Sequence, residues 1–181
     1  MHSSALIFTP RLELVPVSIE MARAQLDDCS ELGRLLGTRI PESWPPSLVD
    51  SEVIKWVIKK LEKDADHLVW GSRYFVLREP RLLIGLGGFK GSPTKEGIVE
   101  VGYSIVEDEQ RKGYATEAVT GLCQRAFSDP RVRRVMAETY PDLIESVCVL
   151  EKSGFAYAGN GSEFGMVRYE LLRKKASGAK F

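Results

Sequence analysis

The chain is expected to adopt an α/β fold in the α+β sense, a mixed and largely antiparallel central sheet of about seven strands with helices on its faces. Three observations predict it. Three short β-like runs follow one another between residues 74 and 106 with turn residues between them, a spacing suited to antiparallel neighbours. Apolar residues recur at helical spacing in two stretches, one through Val53, Ile54, Val57, Ile58 and Leu61, the other through Ala115, Ala118, Val119, Leu122, Cys123 and Ala126. The passage from a strand at 97–106 through the second of these helices to a strand at 132–139 requires a crossover, which makes the sheet mixed and lays a helix on its face.

The elements follow in order. Residues 6–17 read as one opening strand, with Leu12 and Leu14 alternating against Arg11 and Glu13 until Pro16 stops the run. Ser18 can cap a helix running to about Asp28, and a short second helix ends near Gly37. Pro41, Pro45 and Pro46 mark an irregular connection. Asp50 or Ser51 caps the next helix, whose Lys55, Lys59, Lys60 and Lys63 lie on its wet side. Strands are expected at 74–78, 81–90 and 97–106, turned at Glu79-Pro80 and Gly91-Ser92-Pro93. Asp129-Pro130 breaks the helix that follows. After the strand at 132–139, Asp142 and Glu145 resemble a capping box for a helix that Gly154 ends. Two last strands, 155–158 and 163–172, flank a Gly159-Asn160-Gly161 turn. One domain is expected over residues 6–173, with a basic, frayed tail at 174–181.

Composition narrows the function classes. The 181 residues can bury a core without staples, and an apolar share of 44% with a charged share of 28% is ordinary for a soluble protein. Twenty-five basic residues balance twenty-five acidic ones, so no whole-molecule attraction to nucleic acid is expected. No run approaches the roughly 18 apolar residues of a membrane span, and no charged region precedes Leu6-Ile7-Phe8 as in a secretory signal, which makes a cytoplasmic protein the expectation. Cys29, Cys123 and Cys148 lack metal-like spacing, and two of them sit in helical patterns where a buried, inert thiol is expected. His67 has no ligand partner, so no metal site is expected. Trp44, Trp56, His67, Trp70 and Tyr74 are expected in the core, with the walls of an acceptor pocket as the other reading.

The segment with chemistry in it is Gln110-Arg111-Lys112-Gly113-Tyr114-Ala115. It lies between a strand ending at Val106 and a helix beginning near Gly113, where free backbone N–H groups can point at an anion. Gly113 permits close backbone approach, and Arg111 and Lys112 add positive charge for a pyrophosphate. The segment is neither a P-loop nor a dinucleotide fingerprint.

Here the chain resembles the GCN5-related N-acetyltransferase superfamily, whose central motif runs strand, Gln/Arg-x-x-Gly-x-Gly/Ala, helix. Gln110, Gly113 and Ala115 match it in place. Val149-Leu150-Glu151-Lys152-Ser153-Gly154-Phe155 looks like the superfamily's second motif, and Thr9-Pro10-Arg11-Leu12-Glu13-Leu14, Gly87-Gly88-Phe89 and Val99-Glu100-Val101-Gly102-Tyr103 resemble the branch of ribosomal-protein N-terminal acetyltransferases. The resemblance implies the acyl-coenzyme A N-acyltransferase (GNAT) fold, acetyl-coenzyme A as co-substrate, no metal and an amine acceptor such as a peptide N-terminus or a small molecule. It implies a strand splayed by a bulge beside the loop, with Ile105, Val106 and Glu107 along the pantetheine arm, where a backbone N–H can stabilise an oxyanion. Around the pyrophosphate it places Gln110, Arg111, Lys112, Gly113, Tyr114, Ala115 and Thr116.

An ammonium acceptor must lose a proton before it attacks a thioester. Glu100 is the candidate base, because it alternates against Val99, Val101, Tyr103 and Ile105 and shares a face with Gly102 and Ser104, whose small side chains leave room. Glu138 is the alternative. For the departing thiolate the resemblance points to Ser146 near the start of a helix, since Leu150 stands where many relatives carry Tyr. Leu143 likewise replaces a common Asn. The expected function is acetyl transfer to a primary amine by direct attack in a ternary complex, in a monomer or homodimer that binds neither nucleic acid nor membrane. A non-catalytic acyl-coenzyme A sensor and a transferase using another acyl donor, whose carboxylate would meet Arg39, Arg73 or Lys90, are the other readings.

Overall fold

The computed structural model describes residues 6–64 and 66–174. Its centre is an eight-stranded sheet in the order β1-β2-β3-β4-β5-β6-β8-β7. The strand beyond the expected seven comes from the N-terminus. The single strand expected at 6–17 is instead β1 (Ile7–Phe8) folded back antiparallel on β2 (Leu12–Pro16). Pro10 cannot donate to a ladder, and Thr9 closes the turn, its N–H bonding Leu12 O at 2.9 Å while its hydroxyl accepts from Leu12 N at 3.1 Å.

The helices begin where side chains can satisfy their first amides. Ser18 accepts from Met21 N at the start of α1 (Ile19–Asp27), Asp28 from Ser30 N at α2 (Cys29–Leu36), and Asp50 from Val53 N at α3 (Ser51–Lys63). Gly37, left-handed at φ 58°, closes α2. A one-turn helix, α4 (His67–Trp70), is too short for its periodicity to show in the sequence.

β3 (Ser72–Leu77), β4 (Leu82–Phe89) and β5 (Ile98–Ile105) form the expected antiparallel meander. A turn of 3-10 helix (Glu107–Glu109) leads to α5 (Tyr114–Ser128) and β6 (Arg134–Thr139). The capping box expected at Asp142 is not formed. Leu143 occupies the N-cap of α6 (Ile144–Lys152) without a side-chain bond, because the Leu143 N–H turns back to Tyr140 O at 3.1 Å and starts the helix one residue late. The last hairpin also differs from expectation. Gly159 and Asn160 lie within β7 (Ala156–Asn160), where a register shift between Tyr157 and Gly159 takes up the positive φ of Gly159, and the turn falls at 161–166 before β8 (Val167–Leu172).

Two layers of helix enclose the sheet. Tyr74 is buried on the α1 side, its hydroxyl donating to Gln25 Oε1 at 2.7 Å. Leu14 and Phe75 pair in register and share the opposite face, where α5 packs closely enough that a Cβ on Gly121 would come 2.8 Å from Thr9 Cγ2. The Phe75 ring fills the space left by Gly85 and Gly87 on β4. Each fully buried Leu or Phe of this layer contributes about 1.5–3 kcal/mol, so α5 is anchored by its own apolar stripe. Among the described residues no helix is long and apolar enough to cross a membrane.

One break in the sheet positions everything below. β5 and β6 are parallel, as the crossover requires, but they pair only at Ile98 with Arg134, Val99 with Val135 and Glu100 with Met136. Beyond Glu100, β5 keeps β4 as its neighbour and β6 keeps β8.

Candidate active site

The fork between β5 and β6 leaves a strand edge with free backbone groups. Lys90 N bonds Glu100 O and Val106 N bonds Ile84 O, both toward β4. Because backbone groups alternate sides along a strand, the N–H and C=O groups of Val101, Tyr103 and Ile105 face the fork. Ile105 O accepts from Gln110 Nε2 at 3.0 Å, which ties the following loop to this edge. Val106 is fully buried and its N–H is taken by Ile84, so of Ile105 and Val106 it is Ile105 whose backbone faces the opening. The bulge expected in β5 is absent. Pairing of β5 with β4 is regular, the register shift lies between β3 and β4 opposite Ile84, and the splay arises where β6 departs.

The loop after β5 turns sharply. Arg111 has φ 60° and Gly113 φ 83°, and left-handed residues so close together curl the backbone into a concave run of N–H groups. Gly113 is the N-cap of α5 and offers no side-chain bond, so the first-turn amides of Tyr114, Ala115 and Thr116 add the positive end of a helix of 15 residues. Glu107 and the 3-10 turn lead in from the fork. Lys112 Nζ bonds Glu109 at 3.0 Å on the rim, and Thr116 O accepts from Thr120. The segment 105–116 is thus one continuous lip, from the end of the open strand edge to the helix N-terminus.

A second segment, remote in sequence, grips this lip. Glu117 accepts from Thr9 Oγ1 at 2.6 Å, from Arg11 N at 2.7 Å and from Arg11 Nε at 2.6 Å. Burial opposes the charge on Glu117, but these bonds together outweigh it and hold the carboxyl below its usual range. Arg11 also donates through Nη1 to Lys112 O at 3.1 Å, and its guanidinium lies 4.4 Å from the Tyr114 ring centroid. The sequence pattern contained no sign of this contact.

Glu100 stands at the crotch of the fork, the last residue of β5 paired to β6, and forms an ion pair with Lys90. It shares a face with Gly102, where a Cβ would meet nothing within 4 Å. Ser146 lies on the other face, in the first turn of α6, and there the structure adds a residue that sequence reasoning passed over. The Tyr103 hydroxyl lies 3.1 Å from Ser146 O and 3.2 Å from Ser146 Oγ. Burial pushes the Tyr103 phenol up to about 12, against a smaller opposite effect of the Ser146 bond. Glu100 and Ser146 therefore flank β5 from opposite sides where it loses its neighbour.

Glu138, the alternative base, is fully engaged. It accepts from Ser162 N and Oγ and from Arg168 Nε and Nη2, at 2.5–3.0 Å, and these bonds overcome the opposing effect of burial to keep its carboxyl below the usual range. It fastens the β7–β8 turn to the end of β6. Arg73 is buried and donates to Gly71 O and Val69 O, and burial with nearby Arg125 pushes it down to about 10. Trp44, His67, Trp70 and Tyr74 are core, while Trp56 is 40% exposed. Only Cys123 among the cysteines is buried, its thiol pushed up to about 12; Cys29 is exposed, and so is Cys148, against the expectation of a buried thiol in that helix.

Residues 11–156 match the family model of the acetyltransferase (GNAT) domain. An uncharacterised N-acetyltransferase of Bacillus subtilis (strain 168), YjdG, is 29% identical over 159 residues, covering 88% of this chain and 94% of its own. Among solved structures, an acetyltransferase from Agrobacterium tumefaciens str. C58 superposes with a TM-score of 0.64 at 20% identity, over 93% of this chain and 94% of its own. RimL, a ribosomal L7/L12 alpha-N-protein acetyltransferase in complex with coenzyme A, gives 0.64 at 16% identity over 92% and 97%.

Proposed function

The chain belongs to the GNAT acetyltransferase family and is an acetyltransferase, and from that premise we propose that it transfers acetyl from acetyl-coenzyme A to a primary amine, by direct attack while both are bound. The observation that carries this reading is the fork after Glu100 leading without interruption into the lip at 105–116. The open edge suits an amide-rich arm, and the concave N–H run with Arg111 and Lys112 suits a pyrophosphate. Gly113 at φ 83° holds a backbone conformation that a side chain would strain, which keeps the N–H run in this shape. When bound, the thioester supplies an activated acetyl carbon.

The protein's own groups then have separate tasks. The fork-facing N–H groups of Val101, Tyr103 and Ile105 hold the arm and take up negative charge building on the thioester oxygen. Glu100 accepts the ammonium proton directly or through water, on the face that Gly102 leaves open. Ser146 donates a hydrogen bond to the sulfur as it leaves on the other face. The likeness to RimL supports a peptide N-terminus as acceptor, with small-molecule amines as the alternative.

The test is thiol release by the purified chain with acetyl-coenzyme A and a panel of peptides and amines, with products identified by mass spectrometry. Acceptor-dependent thiol release with one acetyl per acceptor supports the reading. Binding of coenzyme A without turnover on any acceptor counts against it.

A further inference from the structure

We propose that Arg11 is a positioning residue of the coenzyme site, holding residues 111–114 in the shape that receives the pyrophosphate; this rests on the coenzyme reading above. The geometry points to it in three ways. Arg11 is itself fixed before it touches the loop, because Glu117 takes both its backbone N–H and its Nε, and Thr9 holds the same carboxylate. Its Nη1 then bonds Lys112 O. In a trans peptide the C=O and the following N–H point in opposite directions, so fixing Lys112 O directs the Gly113 N–H away from Arg11. The guanidinium also covers the Tyr114 ring at 4.4 Å, which fixes the first residue of α5.

The loop needs such a hold. Arg111 at φ 60° is in a conformation that costs a non-glycine residue free energy and persists only where surroundings over-determine it. The Arg11 side chain is half-exposed, and Glu117, although only 13% exposed, keeps its bonds from Thr9 Oγ1 and from the Arg11 backbone N–H when the guanidinium is removed, so the guanidinium adds little to global stability. Its value lies in the direction it gives to one peptide plane. Lysine could keep the charge near Glu117, but its single ammonium cannot hold Glu117 and Lys112 O while lying flat on Tyr114.

Isothermal titration of the full-length chain with coenzyme A tests this, with thermal unfolding followed in parallel. Arg11→Met, which keeps the stem, and Arg11→Lys, which keeps the charge, are both expected to weaken coenzyme A binding about tenfold, with Tm lowered by no more than ~4 °C. Affinity within about twofold of wild type in Arg11→Met overturns the proposal, and so does full rescue by Arg11→Lys, which would make the charge sufficient. A loss of affinity that appears only with a large fall in Tm also overturns it, by reducing Arg11 to scaffold. A wild-type chain that does not bind coenzyme A refutes the coenzyme reading itself, a separate failure.

Discussion

Glu100 and Ser146 flank β5 from opposite faces at the fork, and the proposed reaction would lie between them. The roles proposed for them separate in experiment. Glu100→Gln should lower kcat about 100-fold or more at neutral pH and flatten the rate–pH profile, while titration shows coenzyme A affinity nearly unchanged. An unaltered profile would remove Glu100 as the base. The Tyr103 hydroxyl donates to Ser146 O and also lies within bonding distance of Ser146 Oγ, where either oxygen can be the donor, so Tyr103 bears on whether the Ser146 hydrogen is free to point at a sulfur. Tyr103→Phe and Ser146→Ala should therefore lower kcat by similar factors, and the double variant should be little worse than either alone. Strictly multiplicative effects would mean that the two side chains act independently. The sequence suggested Glu100 and Ser146 because strand alternation and a family likeness pointed at them. Tyr103 falls on the apolar side of the same alternation, since a phenol that packs with its ring and bonds with its hydroxyl looks apolar in a periodicity pattern.

At the scale of elements, the strand, loop and helix around Gly113 were legible because local chemistry decides them. A left-handed glycine, a run of free amides and an amphipathic helix leave their marks within a dozen residues of sequence. The clamp from Thr9 and Arg11 left none, because it joins segments far apart in the chain, and the fold-back at Pro10 was hidden by an alternation that continued through it. The capping box at Asp142 was misread for a related reason: the residue types are right, but a backbone turn from Tyr140 to Leu143 claims the position first. The loop's geometry makes its own prediction. Gly113→Ala forces a side chain into φ 83°, at a cost of about 1–2 kcal/mol, which distorts the loop, so coenzyme A affinity should fall about tenfold or more by titration. Arg111→Ala should also weaken coenzyme A binding, with kcat at saturating coenzyme A changed much less. Equal affinity in that variant would remove Arg111 from the pyrophosphate site.

For the whole molecule, the sheet is two paired blocks joined by three residue pairs between β5 and β6. Stability is set away from that opening, in the core around β3 and β4 and in the corner where α4 meets them. His67 in that corner is buried, with Trp56 against its ring and no partner for Nε2 among the described residues. Burial holds its imidazole below the ordinary 6.5, with Lys60 and Arg73 acting the same way and Asp64 against them. The unfolded chain therefore takes up this proton first as the pH falls through 6.5, and folding stability drops with it. The Tm should be lower at pH 5.5 than at 7.5, and His67→Phe, which keeps a ring against Trp56, should reduce that difference; an unchanged difference would assign the pH dependence elsewhere. The depressed carboxyls of Glu117 and Glu138 act in a separate window, their stabilisation present above 4.5 and lost as the pH falls through their lower folded values. Coenzyme A binding along both the fork and the lip can be followed by an amide chemical-shift titration of the labelled chain. Shifts are expected at residues 111–116 and at Val101, Tyr103 and Ile105, saturating together. Shifts confined to a second cleft, lined by Cys29, Gly33 and Arg34 of α2 with Thr38, Ile40 and Trp44, or none at the fork, would contradict this binding mode.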